Sequence, residues 1–126
     1  MPPTTTLQAL EDLMNLSQES CSKVYECTCP ELDQLTALAV SAGAYGSRVT
    51  GAGWGGCTIS LVREDRVWSF AAKLREGYAP YRDLSEEKMK GVVFATKPSS
   101  GAYGELPHRA RRNKVLTPEP VIKLQE

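Results

Sequence analysis

No stretch of this 126-residue sequence approaches the ~18 consecutive apolar positions that a membrane-spanning helix needs. The opening Met1-Pro2-Pro3-Thr4-Thr5-Thr6 has neither a basic start nor an apolar run, so no export signal is expected. The chain reads as soluble and cytoplasmic, with no membrane partner. Net charge is missing as well: fifteen Lys and Arg balance fifteen Asp and Glu. That balance argues against duplex nucleic acid or an anionic membrane as a whole-surface partner. The one histidine, His108, lies far along the chain from Cys21, Cys27, Cys29 and Cys57. Cys27 and Cys29 have a single residue between them, not the two to four of a zinc knuckle, so no metal site is expected. Without an export signal, disulfides are not expected either, and the cysteines read as buried free thiols.

The length suits one domain with a core of its own. Only 41% of residues are apolar, below the usual ~45–50%, so part of the chain should lie outside that core.

Leu7, Leu10, Met14, Ser17, Cys21 and Val24 recur at three- and four-residue steps, with Leu13 alongside. They predict one apolar stripe on a helix over about 6–25, with Glu11, Asp12, Gln18, Glu19 and Lys23 between. A turn over 26–30 follows. Pro30 suits the first position of a second helix, Glu31 and Asp33 favour its positive end, and Gly43 can close it. Leu32, Leu35, Leu38, Ala39 and Ala42 supply its apolar face.

Gly46–Thr50 is extended in character, and Cys57–Val62 alternates like a strand. Asp65 is placed to cap a third helix, on which Val67, Phe70, Ala71, Leu74, Tyr78 and Tyr81 share a face before Pro80 ends or kinks it. Residues 83–90 predict a turn of helix and a loop, Gly91–Thr96 a strand, and Ala102–Leu106 a short return strand. The order is α-α-β-β-α-β-β. After Leu106 five basic side chains (Arg109, Arg111, Arg112, Lys114, Lys123) face two acidic ones, among Pro107, Pro118 and Pro120. Residues 107–126 therefore read as a disordered basic tail.

The most informative segment is Gly46 to Cys57, with five glycines in twelve residues. Glycine permits positive φ, which lets consecutive N–H groups converge on an anion, and it admits a ligand close to the backbone. No Gly-Lys-Ser/Thr follows, and no helix opens on a Gly-x-Gly-x-x-Gly turn. On glycine content alone, a phosphate or ligand loop and a tight ligand-free hairpin stand level.

The wording of this segment decides more. Gly46-Ser47-Arg48-Val49-Thr50-Gly51-Ala52-Gly53-Trp54-Gly55-Gly56-Cys57 resembles the third, C-terminal motif of galactokinases, members of the GHMP family of small-molecule kinases. The resemblance extends to Leu13-Met14-Asn15, Ser17-Gln18-Glu19-Ser20-Cys21, Tyr25-Glu26-Cys27-Thr28-Cys29-Pro30-Glu31-Leu32-Asp33, Phe94-Ala95-Thr96-Lys97-Pro98 and Gly101-Ala102. It is strongest toward eukaryotic, especially fungal, galactokinases and the related N-acetylgalactosamine kinases.

The resemblance implies an α+β fold, the C-terminal lobe of a GHMP kinase with helices on an antiparallel ferredoxin-like sheet. It implies a leader over 1–6, a domain over 7–106 and an unrelated tail over 107–126. It implies a loop lining a cleft for ATP and galactose, or a related hexose, formed by Thr50, Gly51, Ala52, Gly53, Trp54, Gly55 and Gly56. Arg48 is either a phosphate partner or one side of an ion pair across the strand. The catalytic aspartate, the phosphate loop and the Mg²⁺ chemistry of the family belong to an N-terminal lobe not found in this sequence, so that lobe is an implied partner. Transfer of the ATP γ-phosphoryl group to galactose is the leading function implied. A non-catalytic galactose and ATP sensor regulating transcription, or an inactive truncated product, are the alternatives.

Overall fold

The computed structural model of the chain describes residues 5–102, 104 and 121–125. Helix α1 (Thr6–Lys23) and helix α2 (Pro30–Ser41) precede a hairpin of β1 (Gly46–Thr50) and β2 (Cys57–Leu61). Helices α3 (Val67–Gly77), α4 (Ala79–Arg82) and α5 (Glu86–Val92) follow, then β3 (Val93–Thr96) and β4 (Val121–Gln125). All neighbouring strands are antiparallel, in the order β1-β2-β4-β3. The architecture is the expected α+β one.

Local chemistry explains most boundaries. The Thr5 hydroxyl accepts from the Gln8 N–H at 3.2 Å and caps α1. Pro30 opens α2 with Glu31 and Asp33 in its first turn, and Gly43 leaves it at φ 113°. Tyr78 is extended, which ends α3, and Pro80 then sits at the start of α4. The core gathers Leu35, Ala39, Phe70, Leu74, Tyr78 and Tyr81 from α2, α3 and α4 over Val62, just past β2. The rings of Tyr78 and Tyr81 meet edge to face at 4.7 Å.

Helix α1 keeps part of its expected stripe, with Leu7, Met14, Ser17 and Cys21 half-buried, but Leu10, Leu13 and Val24 are exposed. Leu10, Leu13 and Leu16 point to solvent, Leu13 and Leu16 being 65% and 62% exposed. The half-buried positions are Leu7, Glu11, Met14, Asn15, Ser17, Gln18, Cys21 and Ser22. The reason lies at β1, whose outer edge pairs with no strand among the described residues. Asn15 donates from Nδ2 to the Tyr45 carbonyl at 3.2 Å and accepts at Oδ1 from the Ser47 N–H at 3.4 Å. Gln18 accepts at Oε1 from the Val49 N–H at 2.7 Å and donates from Nε2 to Asp33 Oδ1 at 3.2 Å. Satisfying those backbone groups outweighs turning the leucines inward. Close approach requires Gly46, where a Cβ would lie 2.8 Å from Met14 Cβ.

Further expectations need correction. Asp65 does not cap α3; it accepts from Arg63 at 3.0 and 2.9 Å. Gly91 and Val92 finish α5, which Ser85 caps, so the strand begins at Val93. Thr6 already starts α1. Ala102 and Gly104 are not in a strand, and the rest of the expected return strand lies outside the described residues. Within 107–126, Val121–Gln125 is not disordered tail but β4, seated between β2 and β3. The signal was present: Val121-Ile122-Lys123-Leu124-Gln125 alternates, and Pro118 and Pro120 precede it without interrupting it.

Gln18→Leu orphans the Val49 N–H, so urea unfolding should show a loss of about 1–3 kcal/mol, while exposed Glu19→Ala should stay within about 0.5 kcal/mol. Equal effects would remove edge closure from the account of α1. Deleting residues 121–126 takes away the strand joining β3 to β2 and should lower the urea midpoint. An unchanged midpoint would mean that β4 carries no part of the fold.

Candidate functional site

The six residues Gly51–Gly56 join paired Thr50 and Cys57 at the turn end of the β1–β2 hairpin. Five of them have positive φ: Gly51 (88°), Gly53 (83°), Trp54 (57°), Gly55 (148°) and Gly56 (93°). Among the described residues, Trp54 and Glu26 (φ 54°) are the two non-glycine ones in that region, a conformation that costs an L-residue about 1–2 kcal/mol. The two strained places meet. The Trp54 N–H donates to the Cys27 carbonyl at 2.7 Å, and the Trp54 and Tyr25 rings stand 6.0 Å apart, tilted at 55°. The α1–α2 turn therefore clamps the loop from beneath.

Gly53 sits in that clamp, for a Cβ there would lie 2.7 Å from the Cys27 oxygen. Gly51 and Gly56 face open space. Glycine thus serves contact at Gly53 and backbone conformation elsewhere in the loop. The Trp54 N–H is spent on Cys27, so it is not available to an anion.

The structure brings the sequence-predicted residues into one strip. Gly51, Ala52, Trp54 and Gly56 are exposed, with Trp54 at 62%; Thr50, Gly53 and Gly55 are half-buried. Arg48 lies mid-strand opposite Ile59, which is no acid. Its Nε donates to the Val49 carbonyl at 3.0 Å, and among the described residues it has no ion-pair partner. The ion pair across the strand is therefore not found. Cys57 is half-buried at the start of β2.

Tyr25, Glu26 and Cys27 belong to this site, and their part in it was not legible. The sequence marks them as a turn but carries no sign that the turn touches the loop. A hollow of about 350 Å³ between α1, α2 and β1 is lined by Gln18, Ser22, Asp33 and Ser47 among others. Its polar groups satisfy one another: Ser22 and Gln18 donate to the two Asp33 oxygens, and Ser47 bonds Ser60. Among the described residues no three His, Cys, Asp or Glu converge as a metal site, and no helix is long and apolar enough to cross a membrane.

Residues 4–80 match the family GHMP kinases C terminal. The chain is 47% identical over 104 residues to a galactokinase of Dictyostelium discoideum, aligning 79% of this chain with 21% of that protein. It is 42% identical over 96 residues to a galactokinase of Saccharomyces cerevisiae, with 71% and 18% covered. The crystal structure of Lactococcus lactis galactokinase complexed with galactose superposes with a TM-score of 0.56 and 39% identity, over 62% of this chain and 20% of that one. The chain spans about a fifth of the length of these relatives.

Gly53→Ala and Gly51→Ala both pay for positive φ, about 1 kcal/mol each, but only Gly53→Ala meets backbone. In urea unfolding, Gly53→Ala should cost about 2 kcal/mol more than Gly51→Ala. Equal losses would show that the Cys27 carbonyl does not confine the loop.

Proposed function

The chain belongs to the GHMP kinase family, and from that premise we propose that it is the C-terminal portion of a galactokinase. The complete enzyme would transfer the γ-phosphoryl group of ATP to the anomeric hydroxyl of galactose, giving galactose 1-phosphate. The carrying observation is the 50–57 hairpin end, bent by five positive-φ residues and held on Cys27, with Arg48 beside it in no ion pair among the described residues.

Such a loop can border a cleft, because exposed glycine backbone admits sugar or phosphate oxygens without a Cβ in the way. Arg48 would add a fixed positive charge for phosphate, the kind of electrostatic positioning on which phosphoryl transfer depends. Thr50, Gly51, Ala52, Gly53, Trp54, Gly55 and Gly56 are assigned to the cleft wall. Mg²⁺ does not fit the residues present, since no acidic cluster is found among those described. Binding of the metal, proton abstraction and most sugar recognition fall to the remainder of a complete kinase. The exposed row of Leu10, Leu13 and Leu16 on α1 supports a chain that has a larger partner surface to meet. A cytoplasmic setting accords with four cysteines that are all thiols. No observation favours a transcriptional sensor.

The chain alone, given galactose, ATP and Mg²⁺, should release no ADP above the enzyme-free control; turnover there would sink the division of labour. Built into a full-length galactokinase in place of the matching segment, residues 5–125, which include the α1 cap and β4, should support phosphorylation. In that enzyme Gly51→Val should lower kcat/KM about a hundredfold and Arg48→Gln about tenfold, with smaller effects on the unfolding midpoint. Near-normal kcat and KM in both variants would reduce the loop to a turn.

A further inference from the structure

Two of the four cysteines form a pair. Cys21 lies in the last turn of α1, and the Cys27 N–H donates to its carbonyl at 2.9 Å. A direct backbone bond between two residues keeps their Cα atoms within the roughly 4.4–6.8 Å that a disulfide spans. The Cys21 side chain is also near enough to act on the Cys27 thiol. Cys27 is buried and Cys21 is half-exposed. Cys29 and Cys57 occupy other places, as the N-cap of α2 and the first residue of β2.

We propose that Cys21 and Cys27 are a redox modification site, closing to an intramolecular disulfide when the chain meets a hydroperoxide. Cys21 is the sulfur a peroxide reaches. An S–O bond forms there, the O–O bond breaks, and one oxygen leaves as water. The Cys27 sulfur then attacks the Cys21 sulfur; the S–S bond forms, the S–O bond breaks, and a second water leaves. The two thiols give up two electrons and two protons in all, and hydrogen peroxide is reduced to two waters.

This order of events suits the two environments. Burial first, and the neighbouring Cys21 sulfur second, push the Cys27 thiol up, while the charge of Arg48 acts the other way. Cys27 is therefore the poorer first nucleophile and the better-placed resolving group. The cross-link would tie the end of α1 to the residue whose carbonyl holds Trp54. It would stiffen the clamp beneath the glycine loop without occupying the cleft, and a dithiol reductant would undo it.

The test uses the full reduced chain, treated with hydrogen peroxide, denatured and alkylated with N-ethylmaleimide. Mass spectrometry should find two alkylated thiols in place of four and the loss of two hydrogen atoms, reversed by dithiothreitol. Cys21→Ser and Cys27→Ser should each abolish the cross-link. The double variant Cys29→Ser/Cys57→Ser should keep it in full, which holds the test open even if Cys27→Ser fails to fold. Four alkylated thiols after peroxide, a bridge that needs Cys29 or Cys57, or oxygen adducts on Cys21 with Cys27 still alkylated would overturn the proposal.

Discussion

The closure of the outer edge of β1 by two side-chain amides is the constraint from which the rest of the fold follows. An edge strand leaves every second N–H and C=O unpaired, and a strand this well buried cannot leave them to water. Asn15 presents a donor and an acceptor to the Tyr45 carbonyl and the Ser47 N–H, as a neighbouring strand would. Gln18 takes the Val49 N–H one step further along. These bonds set the rotation of α1, and Gly46 sets how close it lies. Through Gln18 and Ser22 on Asp33 the same helix also fixes α2.

From that anchored helix the chain reaches the glycine loop by a short route. Helix α1 ends, the backbone turns through the strained Glu26, and the Cys27 carbonyl meets Trp54. Backbone strain at Glu26 and Trp54 is held by hydrogen bonds beside them, from the Cys27 N–H to the Cys21 carbonyl and from the Trp54 N–H to the Cys27 carbonyl. A loop held this way starts from a restricted set of conformations, which suits a cleft wall that must meet a ligand without paying to order itself. The flexible appearance of a glycine-rich sequence is misleading here: the glycines release steric conflict so that one bent shape can be held.

The surface is unfinished in a consistent manner. Leu10, Leu13 and Leu16 on α1, Val24 and Tyr25 after it, and Trp54 on the loop are all exposed, while the core beneath α2 and α3 is closed by Phe70, Leu74, Tyr78 and Tyr81. Apolar exposure is concentrated around the candidate cleft and α1, although Trp68 on α3 is exposed as well.

The sequence by itself determined where most elements lie and to which family they belong. Pro30, Gly43 and Pro80 act through their own φ preferences, alternation in Cys57–Leu61 reflects a local period, and the wording from Gly46 to Cys57 is contiguous, so each can be read in place. Tertiary structure decided the rest, because those features depend on residues distant in the chain. Three- and four-residue spacing names an apolar stripe on α1, but unpaired backbone on β1 chose the polar face carrying Asn15 and Gln18. Proline and charge after Leu106 suggested a tail, but the free position between β2 and β3 drew Val121–Gln125 into the sheet. Five glycines permit many loop shapes; the Cys27 carbonyl, 26 residues before Gly53, selects one by filling the space a Cβ would need.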